Sequence, residues 1–223
     1  VNNVKDAPVA AADSYQTAED QALSVTAPEG GVLGNDTDPD GDGLSATVVT
    51  GPAEGELSLA EDGTFTYTPA ADSNGTVSFT YEVSDAGPQA TAVDTATATI
   101  EVVPVNDPPT GRADSYALSE NDTLTVPAPG VLGNDTDPDA GETLTAAVVT
   151  GASNGAVTLR PDGRVQYVPA RGFSGTDQFT YAVSDTASGA GPSPEAADLV
   201  TVTFEGEAVN SAPAAAADSY PTA

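Results

Sequence analysis

Apolar and polar residues alternate along most of this chain, and Thr and Val dominate the alternating runs. A period of two is the mark of a strand with one face buried, whereas helical spacing is nearly absent. The runs predict strand A near Ser14–Thr17, B near Ala22–Thr26 and C over Leu44–Thr50. They continue with C′ over Glu56–Leu59, E over Thr64–Thr68, F over Ser78–Ser84 and G over Thr95–Val103. Leu57 and Leu59 should face inward on C′, Phe65 and Tyr67 on E, Phe79, Tyr81 and Val83 on F, and Ala96, Ala98 and Ile100 on G. Asp62-Gly63 separates C′ from E and is a hairpin signal, because the favoured tight turns need positive φ; Asp162-Gly163 repeats it.

The pattern occurs twice. Val32-Leu33-Gly34-Asn35-Asp36-Thr37-Asp38-Pro39-Asp40 returns, 99 residues later, as Val131-Leu132-Gly133-Asn134-Asp135-Thr136-Asp137-Pro138-Asp139. Phe79-Thr80-Tyr81 and Val83-Ser84-Asp85 return as Phe179-Thr180-Tyr181 and Val183-Ser184-Asp185. Ala12-Asp13-Ser14-Tyr15 returns at Ala113-Asp114-Ser115-Tyr116 and again at Ala217-Asp218-Ser219-Tyr220. The drift between copies implies short insertions, which gather in loops such as the Gly-rich Thr186–Ala197 stretch. A period of about 100 residues is the size of one domain, and seven short strands per period read as an immunoglobulin-like β-sandwich. The expected organisation is all-β: a first sandwich over 1–106, a second over 107–210, and a linker with the start of a third repeat over 211–223. The chain reads as a piece of a longer array. The repeated Tyr and Phe residues belong in the cores.

Composition narrows the chemistry. Five Lys and Arg against 34 Asp and Glu give a formal charge of −29. Nucleic acid and anionic membranes are poor partners for such a chain, because the cations that neutralise phosphate are missing. With neither Cys nor His, thiol nucleophiles, histidine bases and zinc or iron sites built on those ligands are excluded. No apolar run spans a membrane, so this stretch should not insert into one. The absence of Cys fits bacterial export better than maturation in an oxidising compartment.

Strand order sorts the carboxylates by pole. The B–C connection, with Asn35, Asp36, Asp38, Asp40 and Asp42, belongs at the N-terminal pole of the first sandwich beside Asp85, Asp94 and the entering Asp6. Asn134, Asp135, Asp137, Asp139 and Glu142 take those places in the second, with Asp185, Asp198 and the linker Asn106-Asp107. The A–B turns, with Glu19 and Asp20 in one copy and Glu120, Asn121 and Asp122 in the other, lie at the opposite poles. Stacked end to end, Glu19, Asp20, Asn106, Asp107, Asn134, Asp135, Asp137, Asp139 and Asp185 would share one joint. So many carboxylates repel one another unless a cation intervenes. Calcium, which takes six to eight oxygens in flexible geometry, fits that donor set, and several ions are expected at the joint. Turn-forming preference alone also explains single Asp and Asn residues in loops. Asp36-Thr37-Asp38-Pro39-Asp40-Gly41 resembles the start of an EF-hand loop, but Thr47 stands where the bidentate Glu belongs and no helices flank it. The linkers align as Lys5-Asp6, Asn106-Asp107 and Asn210-Ser211, so the middle joint should be the best formed.

Asn106-Asp107-Pro108-Pro109, the doubled acidic loop, Tyr67-Thr68-Pro69 and the Phe-Thr-Tyr and Val-Ser-Asp pairs resemble the bacterial cadherin-like/immunoglobulin-like repeats of large secreted adhesins. The resemblance spans both repeats. It implies calcium-dependent tandem sandwiches that serve as extenders in extracellular or cell-surface adhesins, among them the biofilm and RTX type exported by type I secretion. Glu19 and Glu120 are similar to the strand-A glutamates of animal cadherins. Asn210-Ser211 departs from the linker pattern. The expected function is a calcium-stiffened, non-enzymatic spacer whose partners are calcium and neighbouring repeats. The alternative is direct binding of glycans or of like domains on other cells. Catalysis by carboxylate pairs such as Asp36 and Asp38 lacks a cleft and would recur in every repeat.

Overall fold

The computed structural model describes residues 6–85, 93–185 and 197–209. It divides into two compact units, Val1–Val105 and Asn106–Ala223. In the first, the strands are β1 (Asp13–Ala18), β2 (Leu23–Val25), β3 (Leu44–Thr50), β4 (Glu56–Leu59), β5 (Phe65–Thr68), β6 (Gly75–Asp85) and β7 (Val93–Val103). In the second, they are β8 (Asp114–Ser119), β9 (Leu124–Val126), β10 (Thr145–Thr150), β11 (Gly155–Leu159), β12 (Val165–Pro169), β13 (Gly175–Ser184) and β14 (Ala197–Glu207). Each unit is a sandwich of a four-stranded and a three-stranded sheet. The orders are β1-β7-β6-β3 with β2-β5-β4, and β8-β14-β13-β10 with β9-β12-β11. The expected third-repeat segment at 211–223, the Asn210-Ser211 linker, Lys5 and the Gly-rich residues 186–196 lie outside the described residues.

The C′–E hairpin forms as its Asp-Gly signal implies. The C′ segment is β4, and it pairs with β5 rather than extending the sheet that holds β3 and β6. The reason is the Asp62-Gly63 turn. Gly63 sits at φ 82° and Gly163 at φ 79°, which closes a tight hairpin and sets Leu57 opposite Tyr67 and Leu59 opposite Phe65. A short turn obliges its two strands to be neighbours. A second feature had no signal in the alternation: β1 runs parallel to β7, and β8 parallel to β14.

The inward faces fill as the alternation requires. Phe65, Tyr67, Phe79, Tyr81, Val83, Ala98 and Ile100 are buried in the first core. Val165, Tyr167, Phe179, Tyr181, Val183, Val202 and Phe204 fill the second. The two cores exchange an aromatic for an aliphatic at matched positions. Phe65, in edge-on contact with Tyr15 at 4.8 Å and Phe79 at 5.7 Å, is replaced by Val165. Ile100 is replaced by Phe204, which stacks on Tyr167 at 4.0 Å and Phe179 at 5.6 Å. The sum changes by a single methylene, so both interiors stay close-packed.

The second unit also buries Asp177 where the first has Val77. Burial alone would raise its pKa. The Tyr167 hydroxyl at 2.8 Å and the N–H groups of Asn154, Ser153 and Gln178 outweigh that and hold it below the ordinary carboxylate range.

Candidate metal centre

Register fixes the entry pole of the first domain. Leu44 pairs with Asp85 and Ser84 with Val93, so the starts of β3 and β7 meet the end of β6 there. The segment entering β1 is stitched to the acidic loop at several points. Val9 and Thr37 exchange backbone hydrogen bonds of 2.7 and 3.1 Å. Asp36 Oδ1 accepts the Ala11 N–H at 2.7 Å, and the Asn35 amide donates to the Ala12 carbonyl. The Ala10 N–H donates to Asp94 and the Asp6 N–H to Asp40, at 3.0 and 2.8 Å. Asn35 and Asp36 therefore turn toward the incoming strand and hold the loop to it.

Beneath the stitch lies a buried tyrosine. The Tyr81 hydroxyl, with one proton to give, faces the Val32 and Ala11 carbonyls at 2.9 Å and Asp13 Oδ2 at 2.7 Å. Burial, and then the charge of Asp36, push Asp13 up to about 6, although the Tyr81 hydrogen bond opposes the shift. The second domain repeats the device. Tyr181 faces Val131 O and Asp135 Oδ2 at 2.8 Å, and burial followed by the charge of Asp135 lifts Asp114 to about 6.

The tip of the loop is different in kind. One carboxylate oxygen from each of Asp38, Asp40 and Asp42 lies within 4.8 Å of the others. Asp38 Oδ1 accepts the N–H groups of Asp40 at 2.8 Å and Asp42 at 3.0 Å, and the Asp42 bond leads in lowering its pKa. Its other oxygen is buried without a hydrogen-bond partner, and the Asp85 carboxyl lies beside the Asp38 side chain. Only a shared proton or a cation can neutralise two carboxyl oxygens that face each other. This donor set, all hard oxygens on a loop, fits calcium.

In the second domain the Asp107 N–H donates to Asp139 at 2.7 Å, the Asn106 amide to Asp185 at 3.1 Å, and the Arg112 N–H to Asp135 at 2.7 Å. The Asn134 amide holds the Arg112 and Ala113 carbonyls, as Asn35 holds Ala12. Asp137 Oδ2 is buried without a hydrogen-bond donor. Burial, then the charges of Asp185, Asp139 and Glu142, raise the Asp137 pKa against the opposing Asp139 N–H bond.

The opposite poles carry the A–B turns. Glu19 is 3% exposed. Its carboxylate accepts the Val105 N–H and the Asn74 amide, while Asp20 accepts the Asp72 N–H at 3.2 Å. Glu120 accepts the Val209 N–H at 3.1 Å. Asp72 is a polar-pole carboxylate that strand patterning gave no reason to select; its place follows from β6 beginning beside β1's end. Within the first domain, then, Asp6, Asn35, Asp36, Asp38, Asp40 and Asp85 gather at one pole, and Glu19 and Asp20 at the other. Within the second, Asn106, Asp107, Asn134, Asp135, Asp137, Asp139 and Asp185 gather at the entry pole, away from Glu120.

The bacterial cadherin-like domain family matches residues 5–104 and, separately, 106–206. The chain belongs to that family, as two tandem copies. Solved structures agree on the fold. Human CDH23 EC21-23 superposes with a TM-score of 0.59 at 19% identity, covering 88% of this chain and 72% of that one. Human Protocadherin-24 EC1-2 gives 0.59 at 16%, covering 94% of this chain and all of the other. Drosophila N-cadherin EC1-4 gives 0.57 at 13% over 88% of this chain; the cadherin-like pair spans about half of that longer ectodomain, 49%. No curated protein matches in sequence.

Proposed function

We propose that these cadherin-like repeats are calcium-stiffened extenders of a bacterial surface or secreted adhesin, holding a distal ligand-binding region away from the cell in adhesion or biofilm formation. The observation that carries this reading is the tip of the acidic loop: three carboxylate oxygens within 4.8 Å in the first domain, and in both domains a buried oxygen, of Asp38 and of Asp137, with no hydrogen-bond partner. Asp38, Asp40, Asp42 and Asp85 would hold the ion in the first domain, and Asp107, Asp137, Asp139, Asp185 and Glu142 in the second. Bound calcium supplies positive charge and removes the mutual repulsion of these groups. Asn35, Asp36, Asn134 and Asp135 position the loop rather than fill it, since they are already committed to the entering strand.

The joint is argued from chain continuity. Glu19 grips the N–H of Val105, and the next two residues are Asn106 and Asp107. The exit pole of one domain, with Glu19, Asp20 and Asp72, is thus one residue from the start of the next. Glu120, Asp6 and Asp139 would serve the same way at the other joints and at this one. Side chains that repel one another across a short linker favour a splayed hinge; neutralised, they favour a fixed one. The role is structural and not catalytic. An extracellular location suits it, because millimolar calcium is available there to weak sites. Among the described residues, no helix is long and apolar enough to cross a membrane.

Small-angle scattering of the two-domain chain tests the proposal. On adding calcium to chelated protein, the maximum dimension should lengthen and its distribution narrow. Identical scattering with calcium and with chelator would refute stiffening.

A further inference from the structure

Four of the five basic residues of this polyanion, Arg112, Arg160, Arg164 and Arg171, fall in the second domain. Two of them share one face. The Arg160 N–H donates to the Arg164 carbonyl at 2.9 Å across the β11–β12 hairpin, so the two side chains are cross-strand neighbours. The next row on the same face is Thr158, Gln166 and Thr125, paired in register across β11, β12 and β9, with the Gln166 amide 3.5 Å from Thr125 Oγ1. These five residues line a shallow cavity of about 250 Å³ on the outer face of the three-stranded sheet. The first domain has the same hairpin, with the Ala60 N–H donating to Thr64 O at 2.8 Å, and a cavity of about 290 Å³ lined by Ser58, Ala60, Thr64 and Thr66 among others. It has no cation there. The fold builds the hollow in both copies, and only the second arms it.

We propose that this face of the second domain binds an acidic polysaccharide, its guanidiniums taking a carboxylate or sulfate and its hydroxyl and amide row taking neighbouring sugar hydroxyls. Two planar guanidiniums recognise such oxyanions through forked hydrogen bonds. Asp162, 3.9 Å from Arg164, tempers the charge without cancelling it. Charge complementarity selects an anion. The row of neutral donors and acceptors selects a ligand whose charges are separated by hydroxyls. Nucleic acid presents denser phosphate and base faces, and this face offers no aromatic ring for stacking. A protein partner draws most of its affinity from buried aromatic or arginine anchors in pockets, which a shallow sheet face does not provide.

Affinity electrophoresis of the two-domain chain tests this, in chelator and low salt, through gels containing a polyuronate, a heparin-type sulfated glycan or neutral dextran. The acidic gels should retard the protein, dextran should not, and added salt should abolish retardation. Arg160→Ala with Arg164→Thr, which restores the first domain's residues, should weaken binding about tenfold or more. Ala60→Arg with Thr64→Arg in that background should bring it back. Arg164→Gln gives an intermediate loss, and circular dichroism verifies the fold of each variant. Retention by the uronate alone or the sulfate alone names the anion and supports the site. Equal migration of the parent in acidic and neutral gels, or of the double variant and the parent, overturns it. So does arginine-dependent self-association in sedimentation velocity without polysaccharide, which would make a second copy the occupant. Loss of the calcium response leaves these readouts unchanged, so the two proposals fail separately.

Discussion

The two acidic loops share nine residues in sequence and differ in what surrounds their central carboxylate. In the first domain, Asp38 is held by the N–H groups of Asp40 and Asp42, and its pKa falls. In the second, Asp137 accepts the Asp139 N–H, and burial with the charges of Asp185, Asp139 and Glu142 raises its pKa. The cause is one residue. Three residues separate Asp40 from Leu44, but four separate Asp139 from Leu144. The extra residue moves the third carboxylate from Asp42 to Glu142. One loop turns two N–H groups onto its anion; in the other, burial and neighbouring charges outweigh the Asp139 N–H. The first should be ordered without calcium, and the second should depend on it more.

The largest expected effect is the calcium response itself. At a hundred times the dissociation constant, one ion bound only to the folded state stabilises by about 2.7 kcal/mol. For a domain of this size that raises Tm by more than about 10 °C. Calorimetry should show the larger rise in the second domain, with Asp137→Asn removing it there and Asp38→Asn removing the smaller one in the first. Equal rises would erase the contrast between the loops. Next in size are Tyr81→Phe and Tyr181→Phe. Each removes a hydroxyl whose carbonyl acceptor is then left buried, at a cost of about 1–3 kcal/mol in urea denaturation. The two costs should be close, because both hydroxyls reach the matched carbonyls of Val32 and Val131, while the near carboxylate is Asp13 in one and Asp135 in the other; a large difference would mean that the loops diverge below the tip as well.

Smaller still is a difference of sign in chelator. Asp38→Asn discards a charge that two N–H groups stabilise and should lower stability. Asp137→Asn discards a charge the fold disfavours and should raise it. Changes of the same sign would contradict the reading of the tips. The last effect concerns what the domains share. Asp13 and Asp114 titrate near 6 in the folded chain, above the ordinary 3.8. Between those values the folded state binds protons that the unfolded state does not, so stability of the calcium-free protein rises as pH falls from about 7 to about 5. The gain is complete below the unfolded value. A Tm that falls over that interval, or that rises unchanged in Asp13→Asn/Asp114→Asn, would contradict it.

Period-two alternation carries β5, β6, β7 and their counterparts in full view, because Phe79, Tyr81 and Val83 can be buried together only on a strand. The Asp-Gly turns are equally legible. The parallel pairing of β1 with β7 and of β8 with β14 was not, since alternation says which face is buried but not which neighbour pairs. The poles of the acidic loops follow from strand order, and the structure gathers each domain's entry residues as that order implies. What strand order does not encode is the direction of each side chain. Asn35 and Asp36 look like ligands in a string of letters, yet the backbone of Ala11 and Ala12 claims them. Asp72 reaches Asp20 only through the return of β6, a contact 52 residues apart in sequence.

A crystal of the two-domain chain grown in calcium, with data collected for the anomalous signal of that ion, tests the central claim most directly. The account predicts calcium on the Asp38, Asp40 and Asp42 cluster and on the Asp137, Asp139 and Glu142 loop. Anomalous maps with no peak at either loop, at calcium concentrations that saturate solution binding, would contradict it.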